Sequence, residues 1–200
     1  MHRSWVSRLK GIILFPTMFY LTVYTPLVFI VYLPYWYKFN CNWNERCHMI
    51  GYERAEKGFD DLTSFFLHKG ELVSFWTNKE KLHLGEVRDM FDNMFKIAII
   101  CVISLILTFD RRRVSRFAIA NSAIILAFLV VLPFFTTFWR EVFHPLLFNN
   151  RLWINNRSDL SFYIMPRQFF KYTTVLLVAS SVILNLAIWS VARRRIASPL

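Results

Sequence analysis

The sequence is short of acid, of glycine and of charge in general. Only 13 of its 200 residues are Asp or Glu, five are Gly, and charged residues of both signs make up 18% of the chain. A soluble domain carries about 25%, so a soluble single domain is disfavoured. So few glycines leave no glycine-rich phosphate loop, and neither an H-E-x-x-H zinc motif nor a G-x-S-x-G nucleophile elbow occurs. Three cysteines are too few for a disulfide-rich miniprotein. No repeat or low-complexity tract appears, which excludes fibrous and disordered classes. What the chain has is apolar mass. Hydrophobic residues reach 56%, including 21 Phe, 7 Trp and 8 Tyr, and they are clumped.

Four clumps approach the roughly 20 residues that a helix needs to cross a bilayer core. They run over about 11–36, 95–109, 117–139 and 172–192. The first contains Pro16, Pro26 and Pro34, so kinks are expected. It is too long for a signal peptide and no small-residue cleavage site follows it, so a retained helix is expected. The net charge of +11 invites a nucleic-acid reading, but the basic residues flank the apolar runs. Arg3, Arg8 and Lys10 precede the first run. Arg111, Arg112, Arg113 and Arg116 lie between the second and third, and Arg193, Arg194 and Arg195 follow the fourth. These short segments hold ten of the 24 basic residues and one of the 13 acids. That is the positive-inside pattern. It predicts an all-α membrane protein of one domain: a four-transmembrane-helix bundle with both termini in the cytoplasm and no nucleic-acid partner. Segments of about 37–93 and 140–171 are left outside as a small extracytoplasmic cap.

The outer segments carry the polar chemistry. Val87, Met90, Phe91, Met94 and Ile97 recur at helical spacing and predict a helix that leads into the second span. Phe59 to Trp76 is aromatic and amphipathic, fit for a membrane surface. Cys41 and Cys47 are candidates for a disulfide, which an extracytoplasmic site permits. The rival reading, a metal site with His48, lacks a second ligand pair, so no metal and no cofactor is expected. Cys101 reads as a small lipid- or helix-facing residue. His2, His48 and His68 read as surface residues, and Asn156-Arg157-Ser158 fits a glycosylation sequon.

His83, in EKLHLGEV, and His144, in FHPLLF, differ from the rest. Both flank the hairpin of spans two and three on the predicted outer side, where they can approach each other. Imidazole carries protons near neutral pH, so the pair is a candidate base and acid. Glu86 or Glu80, each three residues away, can orient the first ring; a solvated charge is the ordinary alternative. Pro145 is expected to hold His144 extended.

Glu80-Lys81-Leu82-His83-Leu84-Gly85-Glu86-Val87 resembles the pattern E-x-x-H-M-x-D-V. Phe143-His144-Pro145-Leu146-Leu147-Phe148, followed by Trp153, Asp159-Leu160, Pro166 and Phe169-Phe170, resembles F-H-x-x-F-F, W, D-L and P-x-x-F-F. Together they resemble the four-span bacterial membrane family that includes the lipoprotein intramolecular transacylase. The resemblance implies transfer of the sn-2 acyl chain of a diacylated lipoprotein to the α-amine of its own N-terminal Cys, in the bacterial plasma membrane. It implies His83 and His144 as the catalytic pair. Glu86 departs from the usual Asp, Leu84 from Met and Leu147 from Phe. Arg140, Arg151 and Arg167 are candidates for steadying an oxyanion or for contacting phospholipid headgroups. Two other classes compete. One is a non-catalytic membrane protein that binds lipid or a partner through its aromatic cap. The other is a redox protein using Cys41 and Cys47.

Overall fold

The structure, a computed structural model, describes residues 2–73 and 75–197; side chains are described from residue 5 to residue 194, Ser74 excepted. The side chains of His2, Arg3 and Arg195 lie outside that set. The described residues form helices and no strand. Segments Trp5–Tyr32, Asn78–Thr108, Arg111–Leu147 and Arg167–Arg194 are long and apolar enough to cross a membrane. The chain is an all-helical, multi-pass membrane protein.

Helix α1 (His2–Tyr32) runs on through Pro16 and Pro26. It stops short of Trp36 because Pro34 disfavours a helical residue before it, and Pro34 instead precedes α2 (Tyr35–Cys41). Then come α3 (Glu45–Ile50), α4 (Tyr52–Phe66) and α5 (Asn78–Thr108). Helix α6 (Arg111–Ala127) follows α5 almost at once. Asp110, the one acid in that basic turn, is its N-cap and accepts from Arg113 N at 3.1 Å. Beyond α6 the helical path tightens to 3₁₀ over Phe128–Phe134, passes α7 (Phe135–Thr137), widens to a π-helix over Phe138–Phe143 and ends as α8 (His144–Leu147). The chain closes with α9 (Leu160–Ile164) and α10 (Arg167–Ala197).

Two compact units result: Met1–Leu27, Asn93–Val130 and Val175–Leu200 form one, and Val28–Asp92 with Val131–Thr174 the other. The first has a small core of Leu14, Met18, Val114, Ala118 and Ala192. Phe15 meets Phe117 edge-on at 5.3 Å, and the Arg113 guanidinium donates to the carbonyl and hydroxyl of Ser7. Ile100, Ile103, Ile106 and Leu107 of α5 are exposed, as lipid-facing residues are. Cys101 is a half-buried free thiol.

The second unit is built on α4, which buries Phe59, Leu62, Phe65 and Phe66. Gly58 lets α9 approach, since a Cβ there would stand 2.9 Å from Leu160 Cδ2. Helix α9 is a single turn, so its last carbonyls need outside donors. Arg46 Nη1 donates to Phe162 O (3.3 Å), Asn44 Nδ2 to Tyr163 O (2.8 Å) and Asn40 Nδ2 to Ile164 O (3.4 Å). Those donors come from α2, α3 and the link between them, which a Cys41–Cys47 disulfide ties together, its Cα atoms 5.5 Å apart. Lys38 joins α2 to α4 through Glu56 at 2.8 Å and Asp60 at 3.3 Å. The Glu56 hydrogen bond, and after it Asp60, hold its pKa above the usual lysine value. His48 is exposed, and His68, also exposed, pairs with Asp92 at 3.0 Å.

Candidate active site

The site belongs to the second unit and starts at the N-terminus of α5. Thr77 and Glu80 form a reciprocal capping box. Glu80 N donates to Thr77 Oγ1 at 3.3 Å, and Thr77 N donates to Glu80 Oε2 at 2.9 Å. The other oxygen, Oε1, accepts from Ser161 N (2.7 Å) and Ser161 Oγ (2.6 Å) in the first turn of α9. One buried carboxylate thus caps two helices. Asp159, 2% exposed, locks the same corner. It accepts from Thr77 Oγ1 at 3.1 Å, from Asn156 N at 2.6 Å and from the Lys79 ammonium. Lys79 also donates to Ile154 O at 2.8 Å. Both oxygens of Glu80 therefore face Thr77 and Ser161 rather than His83, so the orienting role that the sequence left open between two glutamates does not fall to Glu80.

His83 stands one turn further along α5. Its ring meets Phe148 edge-on at 4.8 Å. Its Nδ1 faces Glu86 Oε2 at 3.5 Å, too far for a hydrogen bond, and both atoms are buried with no hydrogen-bond partner. The other oxygen of Glu86 accepts from Asn150 Nδ2 at 2.7 Å.

His144 arrives by a different route. The π-helix Phe138–Phe143 ends with His144 N–H donating to Trp139 O, and His144 Nδ1 reaches the same carbonyl at 2.7 Å. A carbonyl only accepts, so Nδ1 carries the hydrogen, and in the neutral ring Nε2 is the basic nitrogen. The expectation that Pro145 holds His144 extended is wrong. His144 has φ −68° and ψ −47°, because Pro145 falls in the first turn of α8, where a missing N–H costs little. The ring is 6% exposed. It stacks on Trp153 at 4.4 Å and meets Trp139 edge-on at 4.6 Å. Trp139 is itself stacked on Phe143 and Phe170, each at 4.6 Å.

The two imidazoles lie with ring centroids 6.4 Å apart, although 61 residues separate them in the chain. Arg140, Arg151 and Arg167 are all exposed, and Arg167 donates to Thr136 Oγ1 at 3.3 Å. Among the described residues no cluster of three or more His, Cys, Asp or Glu is fit to hold a metal. Reading the sequence missed Asn150, Trp139 and the cap on Glu80. The T-x-x-E spacing of Thr77 and Glu80 signals the last; a lone Asn in a loop signals nothing.

The family described as lipoprotein intramolecular transacylase Lit matches residues 12–170. No curated protein matches the chain in sequence. Among solved structures, the membrane-integral lipoprotein intramolecular transacylase Lit of Bacillus cereus aligns with TM-score 0.78 at 16% identity, covering 97% of each chain. A histidine-to-alanine variant of it aligns with TM-score 0.77 at 14% identity, covering 98% of this chain and 96% of that one.

Proposed function

Since the chain belongs to the lipoprotein intramolecular transacylase family, we propose that it moves the sn-2 acyl chain of a diacylglyceryl lipoprotein to the α-amine of the same N-terminal Cys, with His83 and His144 carrying the protons. The observation that carries this reading is the 6.4 Å separation of the two imidazoles, close enough for both to serve one reacting centre directly or through one water.

Donor ester and acceptor amine sit on one molecule. Holding them in a near-attack pose is worth up to roughly 7–11 kcal/mol, and no covalent enzyme intermediate is needed. His144, its Nδ1–H fixed on Trp139 O, offers Nε2 to take a proton from the substrate ammonium. The freed amine attacks the sn-2 carbonyl, a tetrahedral oxyanion forms, and the proton that the attacking nitrogen must then shed passes to His83. The carbonyl–glyceryl oxygen bond breaks, and the glyceryl oxygen takes up a proton from an imidazolium of the pair. Glu86, facing Nδ1 of His83, favours a proton there and turns Nε2 toward the chemistry. The basic flanks of the apolar runs support a site on the extracytoplasmic side of a bacterial plasma membrane. Exposed Arg140, Arg151 and Arg167 suit anionic phospholipid headgroups.

The test is mass spectrometry of lipoprotein N-terminal peptides from a host without other N-acylation. Wild type should yield N-acyl, lyso-glyceryl peptides. His83→Ala and His144→Ala should each slow conversion by about 10²–10⁴-fold while the protein still inserts. Unconverted diacylglyceryl peptides with wild type present would overturn the assignment.

A further inference from the structure

Asn150 touches neither imidazole by any hydrogen bond, yet two of its polar groups bond residues that pack against or face the pair. Its Nδ2 donates to Glu86 Oε1 at 2.7 Å, and the other oxygen of that carboxylate faces His83 Nδ1 at 3.5 Å. Its backbone carbonyl accepts from Trp153 Nε1 at 2.9 Å, and that indole stacks on His144 at 4.4 Å. Its Oδ1 accepts from Leu152 N at 3.0 Å, closing the turn that presents the other two groups.

We infer that Asn150 is a positioning residue for both histidines, its side-chain amide aiming the Glu86 carboxylate at His83 and its backbone carbonyl holding the Trp153 indole against His144. The inference rests on the transacylase reading and adds to it a residue that sets the tautomer of one ring. Glu86 Oε2 and His83 Nδ1 are both buried without a hydrogen-bond partner, so a carboxylate left free to swing would leave Nδ1 with nothing to fix its proton. The Asn150 bond holds that carboxylate in place from its far side.

The polarity of the bond supplies the test. Asn150→Asp keeps an oxygen for Leu152 N and the backbone carbonyl for Trp153. It removes only the donor to Glu86 and sets a second carboxylate against the first. A residue that merely shapes the turn would tolerate that change. In Glu86→Gln the new amide must turn its oxygen to Asn150 Nδ2, so its NH₂ faces His83 Nδ1 and forces the opposite tautomer. Combining Asn150→Asp with Glu86→Gln reverses donor and acceptor. The NH₂ then turns to the new carboxylate, and an oxygen again faces His83 Nδ1.

Purified full-length protein is assayed with a diacylated lipoprotein, with conversion followed by mass spectrometry. Each single variant should lower kcat by at least about tenfold, since a wrong tautomer of a catalytic imidazole can cost up to roughly 10⁴-fold. KM should stay within about twofold, because no substrate contact is lost. The double variant should recover at least about fivefold over either single one, a coupling that independent sites do not show. Asn150→Asp at the wild-type rate, or a double variant no better than the singles, overturns the inference. A measurement on wild type needs no variant to fold. Nitrogen-15 spectra should show His83 protonated at Nδ1, and a ring with Nδ1 bare overturns it too. Wild type that fails to convert the lipoprotein defeats the transacylase reading. Wild type that converts it, with Asn150→Asp as fast, defeats only the role of Asn150.

Discussion

Glu80 and Asp159 in one unit, and Asn121, Ser181 and Asn185 in the other, are all buried, at 2% exposure or less. They are treated in opposite ways. Every carboxylate oxygen of Glu80 and Asp159 has at least one donor. Neither amide atom of Asn121 has a partner, nor has Ser181 Oγ or Asn185 Oδ1. The contrast follows from how each unit is built. Val28–Asp92 with Val131–Thr174 contains short helices whose ends need outside partners, so buried charge serves as a cap. The other unit is made of long helices that satisfy their own backbones and turn Ile100, Ile106 and Leu107 outward. Glu80 and Asp159 join separate segments, whereas the Asn185 amide stays within its own helix, donating to Ser181 O at 2.9 Å. The second unit is not uniform: Asp61 Oδ2, Trp76 Nε1 and Arg88 Nε are buried without a hydrogen-bond partner, and at the histidine pair Glu86 Oε2 and His83 Nδ1 face each other without one. Active-site hydrogen bonds often tighten only with substrate bound.

The sharpest way to break this contrast is Glu80→Ala. It strips the acceptor from Thr77 N and from both donors of Ser161, while the Thr77 hydroxyl keeps Asp159. Leaving buried donors unpaired costs about 1–3 kcal/mol each, so a loss of about 3 kcal/mol or more is expected from unfolding midpoints in detergent. Transacylase activity should fall in step with the folded fraction. A variant within about 1 kcal/mol of wild type would show that the double cap is ornamental.

A smaller effect is expected from the Cys41–Cys47 bond. A loop this short constrains the unfolded chain by roughly 2 kcal/mol, so Cys41→Ser with Cys47→Ser should lower stability by about that much. The loss should concentrate on the α9 clamp formed by Asn40, Asn44 and Arg46. Hydrogen exchange at 160–165 should therefore rise before exchange in α5 does. Unchanged protection at α9 would mean that the side-chain donors hold it without the disulfide.

The membrane class was legible because apolar runs and their basic flanks are properties of composition. The histidine pair was legible only in part. His83 and His144 stand out as residue types at two loop-proximal positions, but their approach depends on the π-helix at Phe138–Phe143, which no local pattern announces. Pro145 pointed the wrong way, since the rule for a residue before proline ignores a helix that restarts there. Glu80 and Glu86 look equivalent in the sequence, at equal distance on either side of His83. They separate only because Ser161, 81 residues away from Glu80, supplies donors to one, and Asn150 supplies one to the other. Chain-distant partners of that kind are set by packing, which the sequence does not spell out.

The smallest effect, and the one with the unusual sign, concerns Asn121. A buried amide without partners costs about 1–3 kcal/mol by protein mutational data, and leucine has similar reach and no polar atoms to satisfy. Asn121→Leu should therefore leave the unfolding midpoint in detergent unchanged or raise it by up to about 1 kcal/mol. The same replacement at Asn44 should lower it, because Asn44 Nδ2 holds Tyr163 O at 2.8 Å. If Asn121→Leu instead lost more than about 1 kcal/mol, the amide would have to be paired in the bilayer, and its contrast with the paired carboxylates of Glu80 and Asp159 would disappear.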